Sequence, residues 1–286
     1  MKTYPKFSVV IPTYNRANYL KRGLDAILAQ GYPELELIVI DGGSTDGTVE
    51  LLKSYGTRIS RWLSERDGGE YFAINKGLGL AGGALIKVMT DDDVLRPGAF
   101  HHAAEFLEAH PEIDIVFGQA AVWREERGTR TFLFQTRGSD PARLSWRSWI
   151  RHKNGACSVA HFMRRGVFER VGLFATEYLT GDTEFWVRAA KAGVRMGWMP
   201  EIVVDYVYTG QNGVITQRWR LYGDNIRLNW RYGKVSDVVL AAWTYGVFKP
   251  VAHIAAKPCH AVHFHPVRLA KRLADRVAKR QPGPYL

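Results

Sequence analysis

The chain has 286 residues, 46% of them hydrophobic and 12% aromatic, which is ample for a packed core and excludes disorder over most of its length. A formal charge of +11 calls for an anionic partner: a nucleotide, a nucleic acid or an acidic membrane surface. Two cysteines, Cys157 and Cys259, make neither a disulfide framework nor a zinc-ligand spacing. Met1-Lys2-Thr3-Tyr4-Pro5 runs straight into an apolar strand, with no signal-peptide pattern. The longest apolar run, Val238 to Phe248, is too short to span a bilayer, so a cytoplasmic protein is expected.

The first 118 residues alternate strand and helix patterns. Phe7 to Ile11 reads as a buried strand, followed by a helix from about Ala17 to Gln30 with Tyr19, Leu20, Leu24, Ile27 and Leu28 on one stripe. Leu35 to Ile40 is a second strand, and Ser44-Thr45-Asp46-Gly47 supplies capping residues for a helix over Thr48 to Tyr55. Ile59 to Leu63, a helix over Tyr71 to Leu80, and the strand Ala84 to Met89 follow. Pro97 opens a helix running to His110, and Ile113 to Gly118 is a fifth strand. This spacing predicts an α/β fold with a parallel sheet covered on both faces.

After Gln119 the pattern changes. Val122 to Arg124 and Arg130 to Phe134 predict a hairpin around Gly128, then a helix over Thr183 to Ala192 and another over Thr216 to Arg231. The expected organisation is a strand–helix half over 1–118, a second half of the same domain over 119–232, and an aromatic and basic helical tail over 233–286.

In an open parallel sheet, ligands bind beyond the carboxyl ends of the strands. Four such ends carry polar or glycine-rich loops here: Pro12-Thr13-Tyr14-Asn15, Asp41-Gly42-Gly43-Ser44, Ser64 to Gly69, and Asp91-Asp92-Asp93. There is no G-x-G-x-x-G after the first strand, against a dinucleotide oxidoreductase. Asp46 reads as a helix cap, and Asp67 before Gly68-Gly69 suits a tight turn. Three consecutive carboxylates at the end of a buried strand repel one another unless a positive charge is present. A divalent cation bridging them to a polyphosphate answers that, with Mg²⁺ or Mn²⁺ suited to hard oxygen ligands. The alternative, acids favoured by the dipole of the helix at Pro97, suits a lone pair better than a triplet.

Val9-Val10-Ile11-Pro12-Thr13-Tyr14-Asn15-Arg16, Glu36 to Thr48 with Asp41-Gly42-Gly43-Ser44-Thr45-Asp46-Gly47 at its centre, and Ser64-Glu65-Arg66-Asp67-Gly68-Gly69-Glu70-Tyr71-Phe72-Ala73-Ile74-Asn75-Lys76-Gly77 together resemble family 2 glycosyltransferases. The third segment is similar to the bacterial O-antigen, capsule and exopolysaccharide branch. The acidic triplet falls at that family's D-x-D-like motif, and Gly181 to Arg188 resembles its catalytic-carboxylate motif. The resemblance implies a GT-A fold, a UDP-sugar donor, a divalent cation (Mn²⁺ or Mg²⁺) and inverting transfer. By the same match, Pro12, Thr13, Tyr14, Arg16, Asp41, Gly43, Ser44, Asp67, Asn75, Lys76 and Asp91 lie around the nucleotide-sugar. Asp92 and Asp93 hold the metal, and Asp182 is the catalytic base. Phe72 stands where the branch commonly has an acid, and Thr90 replaces the acid or amide at the head of the D-x-D-like motif.

Asp182 also suits the N-cap of the helix at Thr183, and Glu184 is the second candidate base. His161, Arg164, Glu184 and Trp186 are acceptor-side candidates, each with a plain structural alternative. In the tail, Leu269, Leu273 and Val277 form an apolar stripe flanked by Arg268, Lys271, Arg272, Arg276, Lys279 and Arg280. That pattern suits a helix lying on an anionic membrane, or a charged helix packed on the body. The reading overall is transfer of a hexose or N-acetylhexosamine to a hydroxyl of a glycan acceptor, lipid-diphosphate-linked, in surface-polysaccharide synthesis, with no nucleic-acid partner. The rivals are a sugar-phosphate nucleotidyltransferase, whose glycine-rich basic opening loop is missing, and a non-enzymatic basic module binding nucleic acid or membrane.

Overall fold

A computed structural model describes residues 4–209 and 216–249. Phe7–Thr13 (β1) is buried at every position, as an interior strand of a sheet covered on both faces must be. It lies parallel to Leu35–Asp41 (β2) on one side and Leu85–Val88 (β4) on the other, while Arg61–Ser64 (β3) extends the sheet beyond β2. Helices Ala17–Leu28 (α1), Thr48–Tyr55 (α2) and Glu70–Leu80 (α3) connect these strands as the periodicity predicts.

Beyond β4 the sheet departs from the parallel expectation. The short strand Val94–Leu95 (β5) and helix Ala99–Ala109 (α4) precede Ile115–Glu126 (β6), which does not pair with β4. Instead His161–Arg164 (β8) inserts between them, antiparallel to both. β6 is one continuous strand where two short ones were expected, and it forms the hairpin with Thr129–Gln135 (β7) through Arg127 and Gly128, both at positive φ. Helices Trp146–Ile150 (α5), Gly166–Val171 (α6) and Gly181–Lys191 (α7) follow, then the strand Met196–Tyr208 (β9), parallel to β6. The nine strands among the described residues run β3-β2-β1-β4-β8-β6-β9-β5, with β7 joined to β6.

The core divides between the two faces because successive strand side chains alternate. Val9 and Ile11 pack with Leu20, Leu24 and Ile27 of α1 and Phe100 of α4, whereas Val10 meets Ile74 of α3 on the opposite face, alongside Phe185 of α7. The helices Arg218–Tyr232 (α8) and Val235–Ala241 (α9), followed by a π-helical segment Ala242–Phe248, close the second face. The proposed tail helix over Val267 to Arg280 lies outside the described residues. None of the described helices is long and apolar enough to cross a membrane.

Candidate active site

Strand register brings the polar loops together. Thr13 pairs with Asp41 and Asp41 with Ser64, so the loops after β1, β2 and β3 leave one edge of the sheet. Asp41 is fully buried and organises that edge. Its Oδ2 accepts from the Ser44 N–H at 3.0 Å and the Ser64 hydroxyl at 2.6 Å, and its Oδ1 accepts from the Ser44 hydroxyl. Asn15, at φ 52°, accepts from the Thr45 N–H at 2.8 Å, and its own N–H donates to Ser44 Oγ at 2.7 Å. Asp46 accepts from the first-turn N–H groups of both α1 and α2, at 3.1 Å each. Asp41, Gly43 and Ser44 thus shape the loops without lining the cavity beside them, although they were expected at the nucleotide.

That cavity, of about 1340 Å³, is lined by Pro12, Thr13, Tyr14, Arg16, Asp67, Asp91, Asp92 and Asp182 among the expected residues. Thr13 Oγ1 donates to Asp91 Oδ2 at 2.9 Å, and Arg16 spans the pair, Nε to Asp91 Oδ1 at 2.9 Å and Nη2 to Asp92 Oδ2 at 2.5 Å. Burial pushes the Asp91 carboxyl up to about 7 against the pull of Arg16, and raises Asp92 in the same way. Asp93 does not join them. It is fully buried, accepts from the Val207 N–H of β9 at 3.0 Å and from the Thr90 hydroxyl, and faces Lys87. Lys87 is itself fully buried, donates to the Val159 carbonyl, and is pushed down to about 7 by burial.

The repulsion within the acidic triplet is therefore met partly by the chain's own Arg16 and Lys87. This corrects the expectation that Asp93 is a metal ligand, because its oxygens are committed to β9 and Thr90 inside the fold. Among the described residues no three His, Cys, Asp or Glu side chains gather as a closed metal site. Two desolvated carboxylates open to a cavity do fit a cation such as Mg²⁺ or Mn²⁺, which binds through one or two carboxylates, substrate phosphates and water.

Asp182 sits in the first turn of α7 rather than at its N-cap, which is Thr180. Its Oδ1 accepts from the Thr183 N–H at 2.7 Å and from the Tyr71 hydroxyl at 3.3 Å, and its own N–H donates to that hydroxyl at 3.1 Å. No described residue bonds Oδ2, and the residue lines the cavity. Tyr71 is held in turn: its ring stacks on Phe174 with centroids 5.8 Å apart, and Asn75 clamps the Phe174 backbone with bonds of 2.8 and 3.0 Å. Asn75 accordingly supports the carboxylate from behind, instead of touching a nucleotide. Gly181 permits the approach, since a Cβ there would lie 2.7 Å from the Ala175 carbonyl and 2.9 Å from the Tyr71 ring.

The remaining candidates turn away. Lys76 pairs with Glu65, and Arg164 ties Ile113 and Leu107 carbonyls at 2.9 and 2.6 Å. Trp186 is fully buried, and its indole N–H donates to Ser158 Oγ at 3.2 Å. His161 packs on that Trp186 ring, keeps Nδ1 on the Ser158 carbonyl, and is held well below its ordinary pKa by burial. Glu184, the second candidate base, is 1% exposed and faces away from the cavity, joined to Arg188 at 2.9 Å and to the Tyr232 hydroxyl. Glu184→Ala should cost about 1–3 kcal/mol of stability by removing the acceptor of Arg188 and of the Tyr232 hydroxyl, read as a lower denaturant midpoint. Transfer per folded molecule should persist. Glu70 and Tyr71, both cavity-lining, were not singled out as site residues; Glu70 was only one letter within a motif, and Tyr71 only the first residue of an expected helix.

The family model described as Glycosyl transferase family 2 matches residues 8–172, more than half the chain and all four loop-bearing strands. The chain belongs to glycosyl transferase family 2. A PGL/p-HBAD biosynthesis glycosyltransferase of Mycobacterium bovis is 32% identical over 190 residues, covering 64% of this chain and 69% of the relative. Glycosyltransferase AglE of Haloferax volcanii is 25% identical over 257 residues, 87% of this chain and 83% of AglE. Among solved structures, S. aureus TarS 1-349 in complex with UDP-GlcNAc superimposes with a TM-score of 0.63 at 17% identity, covering 88% of this chain and 76% of that one. The mannosyltransferase PcManGT of Pyrobaculum calidifontis, in complex with GDP-Man and Mn²⁺, gives 0.59 at 20% identity over 98% and 82%. The chain spans 46% of the longer TarS chain that it also matches. These structures establish the GT-A fold, and family 2 membership displaces both the nucleotidyltransferase and the non-enzymatic readings.

Proposed function

We propose that this family 2 glycosyltransferase moves a hexose or N-acetylhexosamine from a UDP-sugar to a hydroxyl of a glycan acceptor, with inversion at the anomeric carbon. The observation that carries this reading is Asp182, whose Oδ1 is held by Thr183 and Tyr71 and which lines the same cavity as Asp91 and Asp92. A base needs one oxygen free within reach of the proton it takes, and a support that holds its direction. In a single displacement, the acceptor oxygen bonds to the anomeric carbon as the bond to the diphosphate breaks. The acceptor proton passes to Asp182, and UDP departs.

On the donor side, Pro12, Thr13, Tyr14 and Asp67 line the cavity and would hold the uridine, while Arg16 would offer a guanidinium to the diphosphate. Asp91 and Asp92 would hold a divalent cation, as the Mn²⁺ in the PcManGT complex suggests by analogy of fold. When bound, that ion would offset the charge gathering on the leaving diphosphate. The UDP-GlcNAc complex of TarS supports the choice of nucleotide, again by fold.

The acceptor reading is supported by the cavity's other end, where Leu179, Leu221, Leu240 and Trp243 give an apolar wall suited to a lipid-linked glycan. Exposed Trp219, Trp230 and Trp243 and the basic sequence beyond Lys257 favour peripheral contact with an anionic membrane at the cytoplasmic face. A UDP-release assay over UDP-glucose, UDP-galactose, UDP-GlcNAc and UDP-GalNAc, with Mn²⁺ or Mg²⁺, tests the donor class. Turnover of at least one is expected. UDP release from none of the four would overturn the assignment to UDP.

A further inference from the structure

We propose that Glu70 reads the hydroxyls of the donor sugar and so sets which sugar is transferred, a role that rests on the UDP-sugar reading above. Glu70 is the first residue of α3, directly after the Asp67-Gly68-Gly69 turn, whose geometry is set by the Gly69 N–H donating to Asp67 Oδ1 at 2.8 Å. Gly69 takes φ 119°, a conformation that side-chain-bearing residues rarely adopt, and it releases the helix start toward the cavity. The next two side chains diverge. Tyr71 turns inward to Asp182, while Phe72 is half exposed, lies outside the cavity lining and covers Gly68 with its ring. The carboxyl that this first turn offers to the cavity is therefore that of Glu70.

Its surroundings point to a neutral, hydroxyl-rich ligand. Glu70 lines the cavity together with Asp182, Asp91, Asp92 and Arg16, and it makes no hydrogen bond or ion pair with any described residue. Glu70 is exposed on the cavity side of the turn, so its carboxyl is within reach of a ligand there. Such a group repels a diphosphate, whereas a sugar hydroxyl bonds to a carboxyl in either protonation state.

Its position selects the donor sugar. Glu70 directly precedes Tyr71, whose hydroxyl meets Asp182 Oδ1 at 3.3 Å, and it lines the cavity together with Asp182, which sets it on the side of the base. The base works one acceptor oxygen away from the anomeric carbon, so a neighbouring group on the donor-side loop faces the ring being transferred. An unpaired carboxyl that a site supplies for a hydroxyl discriminates strongly between sugars, because an epimer leaves it unsatisfied.

The test uses Glu70→Gln and Glu70→Ala in the full chain, with donor hydrolysis (UDP release without acceptor) measured for the same UDP-sugar panel, alongside inhibition by UDP at fixed Mn²⁺. Both variants should lose roughly 10- to 100-fold in kcat/KM for the preferred donor, the scale of a lost charge-assisted hydrogen bond, and flatten the preference among sugars. The UDP inhibition constant and its Mn²⁺ dependence should stay as in the unmodified chain. Unchanged donor preference would overturn the proposal. Parallel loss of UDP affinity would also overturn it, assigning Glu70 to the cation or nucleotide instead. Absence of any UDP-sugar turnover by the unmodified chain would instead remove the UDP-sugar reading on which the proposal stands.

Discussion

Asp182→Asn should lower kcat by roughly 10²- to 10⁴-fold, the contribution of a positioned general base, with UDP affinity and melting temperature preserved. The amide is nearly isosteric. Its oxygen can still accept from the Thr183 N–H, now 2.7 Å from Oδ1, and from the Tyr71 hydroxyl, so the turn of α7 keeps its shape. What disappears is the capacity of the second atom to take a proton from an acceptor hydroxyl. The measurement is steady-state transfer with the best donor of the panel, together with a UDP titration of each protein. Full turnover by the variant would remove Asp182 as the base. The loss should exceed that of Glu184→Ala in transfer per folded molecule, because Glu184 is spent on Arg188 and Tyr232 behind the helix.

Asp92→Ala should abolish most of the metal dependence of UDP binding. Replacing a direct ligand should cost at least the roughly 10- to 100-fold that outer-sphere partners contribute to metal sites. Arg16, which now bridges Asp91 and Asp92, would retain only Asp91, so the metal-free protein should hold UDP no worse than before. Titration of UDP with and without Mn²⁺ separates these terms. Retention of the full Mn²⁺ effect would exclude Asp92 from the cation site.

The direction of the pH effect follows from Asp91. In the folded chain its carboxyl holds a proton up to about pH 7, against 3.8 ordinarily. Cations bind the ionised form, so Mn²⁺-dependent UDP affinity should fall as pH drops below about 7. Stability runs the opposite way. Between 3.8 and about 7 the folded state carries the extra proton, so this group's contribution to stability declines as pH rises across that window.

Much of the architecture was legible because it rests on local periodicity. The buried run of β1, the apolar stripe of α1 and the capping residues before α2 are each read from neighbours a few positions apart. The polar loops at strand ends were legible for the same reason, and the parallel register of β1, β2 and β3 places them on one edge. The second half of the sheet was not, since nothing local in His161–Arg164 says that it will slide between β4 and β6.

Sequence alone determined that carboxylates and a glycine turn would converge beyond the strand ends, because residue type and spacing carry that information, while Asp182 joined them only through the family resemblance. Only the tertiary structure decided which way each side chain points. Asp91 and Asp92 open to the cavity while Asp93 is drawn into the fold by Val207 and faces Lys87; Asn75 props Phe174 and Tyr71 behind Asp182; Glu70 faces the cavity with no bonded partner among the described residues. These choices depend on partners as far as 114 residues away in the chain, as between Val207 and Asp93. A side chain's direction is set by whichever donor, acceptor or charge the packed neighbours present to it, and no one-dimensional pattern records that.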